Sequence, residues 1–522
     1  MMDQARVKYP IGEQDFKSLI EGGFVYVDKT QFVYQLTHSN KYYFLSRPRR
    51  FGKSLLLSTL RYYFEGKKEL FEGLAIEQME TEWKQYPVFL ISLAQFNPDV
   101  EESLQKRLLS YIREWESLYG KSDEDLEISD RFSQLIKKSH EITGEKVVIL
   151  VDEYDAPLIS TLHDDPSHEK FKNELKSFYT NIKDNGEHIR FAMLTGVSRF
   201  SHMSIFSGLN NLKDVTLDDT YGALCGITFD EILKYFQRGI TELSEELKLD
   251  PDSTLHELRN YYDGYHFSKK CPDIYNPFSL LNAFADKELR SYWMRTGTPT
   301  FLVKRLIDES VDLEKLFTAE ASENTLSESD ASYDSMIALL FQTGYLTIKG
   351  YDREWRLYKL GIPNKEVEEG LFEGLMNLIR EKGKKEHTSE IREMIISLRK
   401  GEVERFMEIL RSFMSGIGYP LTGKFSEIYF ENNLYVIFKL IGLYTECEVY
   451  TSSGRIDMIV KTDRYIYVFE FKLDGSAEEA LKQIDEKDYV LPFRTDGRMV
   501  YKIGVNFSSQ KRNIDSWLIN SM

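Results

Sequence analysis

Hydrophobic positions along the chain follow more than one rhythm. In roughly the first 220 residues, short unbroken apolar runs recur: Tyr42-Tyr43-Phe44-Leu45, Val88-Phe89-Leu90-Ile91, Val147-Val148-Ile149-Leu150-Val151 and Phe191-Ala192-Met193-Leu194. Runs this short and without alternation read as strands buried on both faces, and the longer stretches between them are compatible with helices. The alternation predicts a doubly wound α/β domain with a mostly parallel sheet. From about residue 225 to 410 the pattern is mainly helical, with charged surfaces on Thr228 to Lys248 and Lys365 to Lys382. The polar stretch Ala319 to Ser332 reads as a loop or linker. After about residue 415, a helix-like segment from Phe425 to Leu443 precedes two alternating strands and a second helix-like segment from Ser476, an α/β module of domain size. The expected division is therefore 1–222, 223–414 and 415–522.

Composition supports packed domains. The 522 residues are 42% hydrophobic and 13% aromatic, which argues against general disorder. With 67 basic and 84 acidic side chains the net charge is −17, so no overall basic surface attracts nucleic acid, and any such contact must be local. Cys225, Cys271 and Cys447 are too few and too scattered for a disulfide framework, and no CxxC pair suggests zinc. The first six residues lack the apolar core of a signal peptide, and the apolar stretch Leu434 to Tyr444 is interrupted by Lys439. A soluble cytoplasmic protein with no membrane partner is expected.

The strongest chemistry near the N-terminus follows the first apolar run. Tyr42 to Leu45 leads into Ser46-Arg47-Pro48-Arg49-Arg50-Phe51-Gly52-Lys53-Ser54 and then a helix-like segment. Strand, loop, Gly-Lys-Ser and helix are the context in which a P-loop holds nucleotide phosphates on backbone N–H groups and a helix N-terminus. In such a loop Gly52 would let the backbone approach closely, Lys53 would neutralise the β- and γ-phosphates, and Ser54 would bind magnesium. The first glycine of the usual pattern is replaced by Arg47, which demands a different loop conformation because positive φ is costly for most side chains. Taken alone, the basic residues could form only a solvated turn. About 100 residues later, however, Val147 to Val151 ends in Asp152-Glu153. In P-loop enzymes the first acid of such a pair supports magnesium and the second orients or deprotonates water; as a bare strand end, it could equally cap a helix. Their order favours a nucleotide site comprising Arg49, Arg50, Phe51, Gly52, Lys53, Ser54 and Asp152, with Glu153 catalytic. A further segment, Thr195-Gly196-Val197-Ser198-Arg199-Phe200, offers Thr195 or Ser198 as a γ-phosphate sensor and Arg199 as a charge neutraliser in cis or across subunits.

Together with Pro10-Ile11-Gly12 and Phe16, Tyr26-Val27-Asp28-Lys29-Thr30, Asp152-Glu153-Tyr154-Asp155 and Phe206-Ser207-Gly208-Leu209-Asn210-Asn211-Leu212, these blocks make residues 6 to 215 resemble the bacterial and archaeal AAA-ATPase-like family often fused to a nuclease-like tail. The resemblance implies a P-loop NTPase fold with ATP and magnesium, and arginine-rich loops in place of the first glycine are a trait of that family. Asp28-Lys29-Thr30 could contact base, sugar or a neighbouring loop. Tyr262-Asp263-Gly264-Tyr265-His266-Phe267 and Tyr275-Asn276-Pro277-Phe278-Ser279 also look like family signatures; His266 reads as a packed histidine without an identifiable acid partner, and Asn276-Pro277 as a turn.

Near the C-terminus, Gly454 to Lys472 reads as a hairpin. A two-residue turn at Asp463-Arg464 and a four-residue loop from Thr462 to Tyr465 give the same register, with Asp457 opposite Glu470. Period two puts Lys472 on the face of Glu470. Opposed carboxylates repel without compensation, which a divalent cation would supply while activating water, with Lys472 positioning the nucleophile or balancing charge. An ordinary solvated face of weak ion pairs is the alternative from the motif alone. With the flanking helix-like segments, residues 420 to 510 resemble the PD-(D/E)XK nuclease superfamily. The resemblance implies a restriction-endonuclease-like α/β domain that cleaves phosphodiesters with magnesium or manganese. It assigns Asp457 and Glu470 as metal ligands, Lys472 as catalytic lysine, Glu427 as the helix acid with Glu431 one turn away as a substitute, and Gln483 as an accessory residue. Ile456 stands where the family usually has proline.

The expected protein is an ATPase coupled through a helical region to a nuclease acting on nucleic acid, DNA by analogy with the superfamily. The alternative is a nucleotide-dependent switch or scaffold whose tail binds nucleic acid without efficient cleavage. Both a homo-oligomer, with Arg199 acting across its interface, and a monomer with cis catalysis are compatible with the sequence.

Overall fold

The computed structural model describes residues 7–94, 103–123, 126–161, 165–199, 211–294, 306, 312–327, 333–379, 387–417, 427–442, 446–452 and 455–522. The chain forms two compact units, Met1–Trp293 with Glu320–Asn364, and Met294–Ala319 with Lys365–Met522. Residues of the middle region contribute to both.

In the first unit, strands β1 (Tyr42–Ser46), β2 (Val88–Ser92), β3 (Val147–Asp152), β4 (Ile189–Gly196) and β5 (Lys213–Asp214) form a five-stranded sheet in the order β2-β3-β4-β1-β5. Every neighbouring pair is parallel. The unbroken apolar runs have a direct cause: every residue of β1 and β3 is buried, as expected of strands covered on both faces. At the sheet edge, β2 alternates between buried and half-buried positions. Register aligns Ser46 with Gly196 and Ser92 with Asp152. The C-terminal ends of the central strands are therefore level, and the segments leaving them meet along one edge, where ligands bind in open α/β sheets.

The same unit contains a two-stranded ribbon of β6 (Ile227–Thr228) and β7 (Ile274–Tyr275). Helices Phe229–Tyr235, Gln237–Leu247, Pro251–Tyr262 and Pro277–Asp286 share a core that includes Ile232, Leu243, Leu258, Leu280 and Phe284. Strands β8 (Glu320–Ala321), β9 (Thr347–Asp352) and β10 (Leu357–Gly361) make a small antiparallel sheet. This corrects the loop expected from Ala319 to Ser332: Ala321 is buried opposite Tyr358, and a single 3-10 turn covers Thr325–Ser327. A two-residue strand paired to a distant partner has too short a period to be seen in sequence. Residues 328–332 lie outside the described residues.

The second unit contains helices Lys365–Ile379, His387–Lys400, Val403–Met414 and Glu427–Gly442, followed by a mixed sheet. Its strands, β11 (Glu446–Ser452), β12 (Arg455–Lys461), β13 (Tyr465–Leu473), β14 (Met499–Ser508) and β15 (Asn513–Ser521), are ordered as in the chain, antiparallel except for the parallel pair β13–β14. The sequence pattern locates only β12 and β13. Helix Ala477–Glu486 makes the β13–β14 crossover; Ser476 and Glu479 form a reciprocal capping box at its start, which satisfies two N–H groups. The helix lies so close to β14 that a Cβ at Gly504 would sit 2.3 Å from the Ala477 carbonyl oxygen. Among the described residues, no helix is long and apolar enough to cross a membrane.

Candidate nucleotide and nuclease-like sites

The phosphate loop leaves β1 at Arg47, whose side chain is buried. Its guanidinium donates to the carbonyls of Ser46 at 2.9 Å, Thr216 at 2.7 Å and Tyr221 at 3.3 Å, and lies 4.3 Å from the Phe267 ring centre. Where the usual motif has glycine, this chain fastens the base of the loop with a buried cation. The left-handed residues come later, Arg50 at φ 70° and Gly52 at φ 94°. Lys53 then opens helix Lys53–Phe64, and no side chain caps that helix start. Its first N–H groups form the kind of terminus that receives an anion. Lys53 Nζ donates to the carbonyls of Arg47 at 2.9 Å and Pro48 at 3.0 Å.

Arg49 and Arg50 are exposed, Arg50 lying 4.9 Å from the Phe278 ring centre. The Phe51 ring is buried against Tyr265 at 4.8 Å and Phe267 at 5.3 Å; what it can offer a phosphate is its backbone. Ser54 Oγ donates to Asp152 Oδ2 at 2.5 Å, and Thr195 Oγ1 donates to Asp152 Oδ1 at 2.8 Å. Three segments separated by up to 141 positions (54 to 195) therefore converge on one carboxylate. Hydroxyl and carboxylate together are a hard-oxygen donor pair that fits magnesium.

Glu153 adopts φ 51° immediately after β3. Burial above all raises its pKa, and Asp152 and Asp155 add to this against the pull of Lys53. Asp155, for which the sequence suggests no role, is buried and accepts from Ser198 N at 2.5 Å, Ser198 Oγ at 2.6 Å and Val197 N at 3.1 Å. Thr195 and Ser198 thus orient two of the acids at the end of β3. Arg199 pairs with Asp214, and its N–H donates to Gln342 Oε1 at 2.8 Å. Of the block 206–212, residues 206–210 lie outside the described residues.

Two signature blocks differ from expectation. His266 has an acid partner: Nδ1 lies 3.1 Å from Asp273 Oδ1. That hydrogen bond first, and one with Cys271 second, raise the imidazole pKa to about 9. The Asp lies seven positions away and across an irregular segment, so spacing gave no signal. Asn276-Pro277 starts a helix, where Asn276 Oδ1 accepts from Phe278 N at 2.9 Å and Ser279 N at 3.2 Å with proline in the first turn. Asp28 accepts from Thr30 N at 2.9 Å and Ala75 N at 2.7 Å, and Lys29 pairs with Glu231 at 2.6 Å.

In the second unit, β12 and β13 form the expected hairpin with Asp457 directly across from Glu470. Glu470 is buried. Lys472 Nζ lies 3.2 Å from Glu470 Oε1 and 2.6 Å from Gln483 Oε1, so the crossover helix reaches back to the charged strand. Gln483 Nε2 is buried with no hydrogen-bond partner among the described residues. The side chains of Asp457 and Glu427 lie outside the described residues; their backbones place Asp457 within β12 and Glu427 at the first turn of its helix, with Glu431 one turn on. An aspartate in register with a glutamate whose carboxylate is buried beside a lysine supplies residue types with oxygen donors that fit magnesium or manganese.

A family model described as a predicted AAA-ATPase matches residues 10–206, and one described as the PD-(D/E)XK nuclease superfamily matches residues 425–517. An uncharacterised protein in the vnfD 5′ region of Azotobacter chroococcum mcd 1 is 35% identical over 531 residues, covering 99% of this chain and 100% of its own.

Proposed function

Because the chain belongs to the AAA-ATPase-like proteins that carry a PD-(D/E)XK nuclease superfamily domain near the C-terminus, we propose that it hydrolyses ATP in its first unit and cleaves nucleic acid, DNA foremost, in its second. The observation that carries the reading is the tail constellation: Asp457 in register with Glu470, and Lys472 held between Glu470 and Gln483. Such a set is costly unless it is used, since opposed acids destabilise a hairpin.

In the first unit, the N-terminus of helix Lys53–Phe64 and Lys53 would bind the phosphates, with Lys53 leaving the carbonyls of Arg47 and Pro48 for the stronger anionic acceptor. Ser54 and Asp152 would hold magnesium, which when bound neutralises phosphate charge. Glu153 would orient and deprotonate the attacking water, and its raised pKa brings a carboxylate base closer to working pH. Arg199 would offset charge in cis or across a homo-oligomer interface. In the tail, Asp457 and Glu470, with Glu427 or Glu431, would hold a divalent cation that supplies Lewis acidity, while Lys472 positions the attacking water and Gln483 fixes Lys472. Cytoplasmic residence is supported by the low cysteine count, three scattered in 522 residues.

The test is incubation of the full chain with linear and circular DNA and with RNA, with magnesium or manganese, with and without ATP. Cleavage abolished by Lys472→Ala would establish the tail nuclease, and its response to Lys53→Ala would show whether ATP governs it. ATP hydrolysis without metal-dependent cleavage of any substrate would replace this reading with the nucleotide-driven switch.

A further inference from the structure

The small antiparallel sheet of the first unit carries a hairpin that neither proposed reaction uses. Strands β9 and β10 pair as far as Asp352 opposite Leu357, which leaves Arg353-Glu354-Trp355-Arg356 as a four-residue tip. Trp355 is 71% exposed, the most exposed large hydrophobic side chain among the described residues. Its backbone is held in place: Asp352 Oδ1 accepts from Glu354 N at 2.9 Å and Trp355 N at 3.0 Å, a side-chain turn that fixes the tip. Behind the tip, the Tyr351 and Tyr358 rings lie 4.9 Å apart, and Lys269 Nζ lies 4.5 Å from the centre of the Tyr351 ring.

Charge here runs against the rest of the chain. Between Thr347 and Gly361 stand the basic residues Lys349, Arg353, Arg356 and Lys359 against the acids Asp352 and Glu354, whereas the whole chain carries −17. Lys349 donates to the Pro363 carbonyl at 2.9 Å, and Lys359 lies 4.0 Å from Glu320. Arg353 and Arg356 are exposed and enter no ion pair among the described residues. A protein-binding hot spot needs surrounding contacts that exclude water, and among the described residues no other exposed large hydrophobic side chain belongs to this sheet. An apolar platform one ring wide, flanked by two uncommitted guanidinium groups, instead matches an unpaired base and its neighbouring phosphates. We propose that this hairpin tip binds single-stranded DNA, with Trp355 stacked on a base and Arg353 and Arg356 on the adjacent phosphates. Resting on the reading of the chain as a DNA-acting protein, the assignment adds a preference for unpaired strand and supplies the local basic contact that an acidic chain requires.

The test separates strand from duplex. Fluorescence anisotropy measures binding of a labelled single strand and of its blunt duplex, in EDTA so that no metal-dependent cleavage intervenes. The proteins are the full chain, Trp355→Ala, Trp355→Phe and the double variant Arg353→Ala with Arg356→Ala, each shown to be folded by a thermal melt like that of the wild type. Trp355→Ala should weaken single-strand binding by about tenfold or more and duplex binding by less than about twofold. Trp355→Phe, which keeps a ring, should recover most of that loss. Removing both arginines should lower the slope of log affinity against log salt by about 1.4, the release expected from two phosphate contacts to a single strand. Unchanged single-strand affinity in Trp355→Ala, or an equal loss on strand and duplex, would overturn the stacking site and leave the nuclease reading standing. Unchanged DNA affinity with an altered sedimentation mass in that variant would overturn it in favour of a contact between copies of the chain. A wild type that binds neither strand nor duplex would overturn the DNA reading and the hairpin site together. Strand binding that depends on Trp355, with no cleavage once magnesium is restored, would uphold the hairpin and discard the nuclease.

Discussion

The phosphate-loop site and the tail site both hold buried carboxylates, and they hold them in opposite ways. In the first, neutral donors do the holding: Ser54 and Thr195 share the two oxygens of Asp152, while Ser198 and Val197 hold Asp155. In the tail, a cation on the same strand and face takes that part, with Lys472 beside Glu470 and a glutamine behind it. Neutral donors orient an acid without discharging it, so the first site depends on several segments arriving together. A charge on the neighbouring position of the same strand face needs only correct strand register. The first arrangement should fail through distant packing, and the second mainly through its own charged residues.

The sharpest break of that comparison is Lys472→Ala. Cleavage measured on a labelled duplex should fall by about 10² to 10³, while ATP hydrolysis by the same preparation persists. Substantial residual cleavage would mean that Lys472 is an ordinary ion-pair partner and that the tail acids act without it.

Next in size is Arg47→Gly, which restores the glycine of the usual phosphate-loop pattern. If the loop merely tolerated arginine, stability would rise or hold. The buried guanidinium instead serves three carbonyls, so denaturant unfolding should show a loss of about 3 kcal/mol, from a cavity and unpaired acceptors. An unchanged unfolding midpoint would show that the loop does not depend on this anchor.

These two substitutions also mark where sequence is informative. The hairpin spans sixteen residues from Asp457 to Lys472, and strand period with turn geometry suffices to place Asp457 opposite Glu470 and Lys472 on the same face. The central parallel strands are legible for the same reason, since β1 and β3 are buried throughout and show it as unbroken apolar runs. Arg47 stands out as a departure, but nothing local says that its partners are Thr216 and Tyr221. The Asp152–Thr195 bond likewise depends on β3 and β4 being neighbours. Sheet order is a tertiary choice among strands with nearly identical patterns. β8, β14 and β15 escape because pairing partners, rather than a strong local rhythm, make them strands.

Thr195→Val sharpens the comparison at a smaller scale. It removes one neutral hold on Asp152 while keeping shape, and ATP turnover should fall by about tenfold, equivalent to about 1.4 kcal/mol. In the tail, Gln483→Ala is the matching loss of a neutral hold, on Lys472 rather than on an acid. A fall in cleavage much larger than the effect of Thr195→Val on ATP turnover would reverse the contrast, making the tail the site more dependent on its supporting shell.

The smallest effect concerns a charged pair that lies in neither site, His266 with Asp273. Folding raises the imidazole from 6.5 to about 9, through Asp273 first and Cys271 second. Since the folded state binds this proton more tightly, the contribution to stability is complete below about 6.5, declines as pH climbs toward 9, and is gone above it. Arg259 and Lys349 also act on Asp273 electrostatically, and burial lowers the pKa of Lys349 itself. Asp273 is largely exposed, so the pair is worth less than about 1 kcal/mol. Thermal melts of wild type and Asp273→Asn should therefore differ by about a degree near pH 6 and converge near pH 10. A gap that persists at alkaline pH would show that Asp273 holds this segment by hydrogen bonding rather than charge, placing it with the neutral holds of the phosphate-loop site.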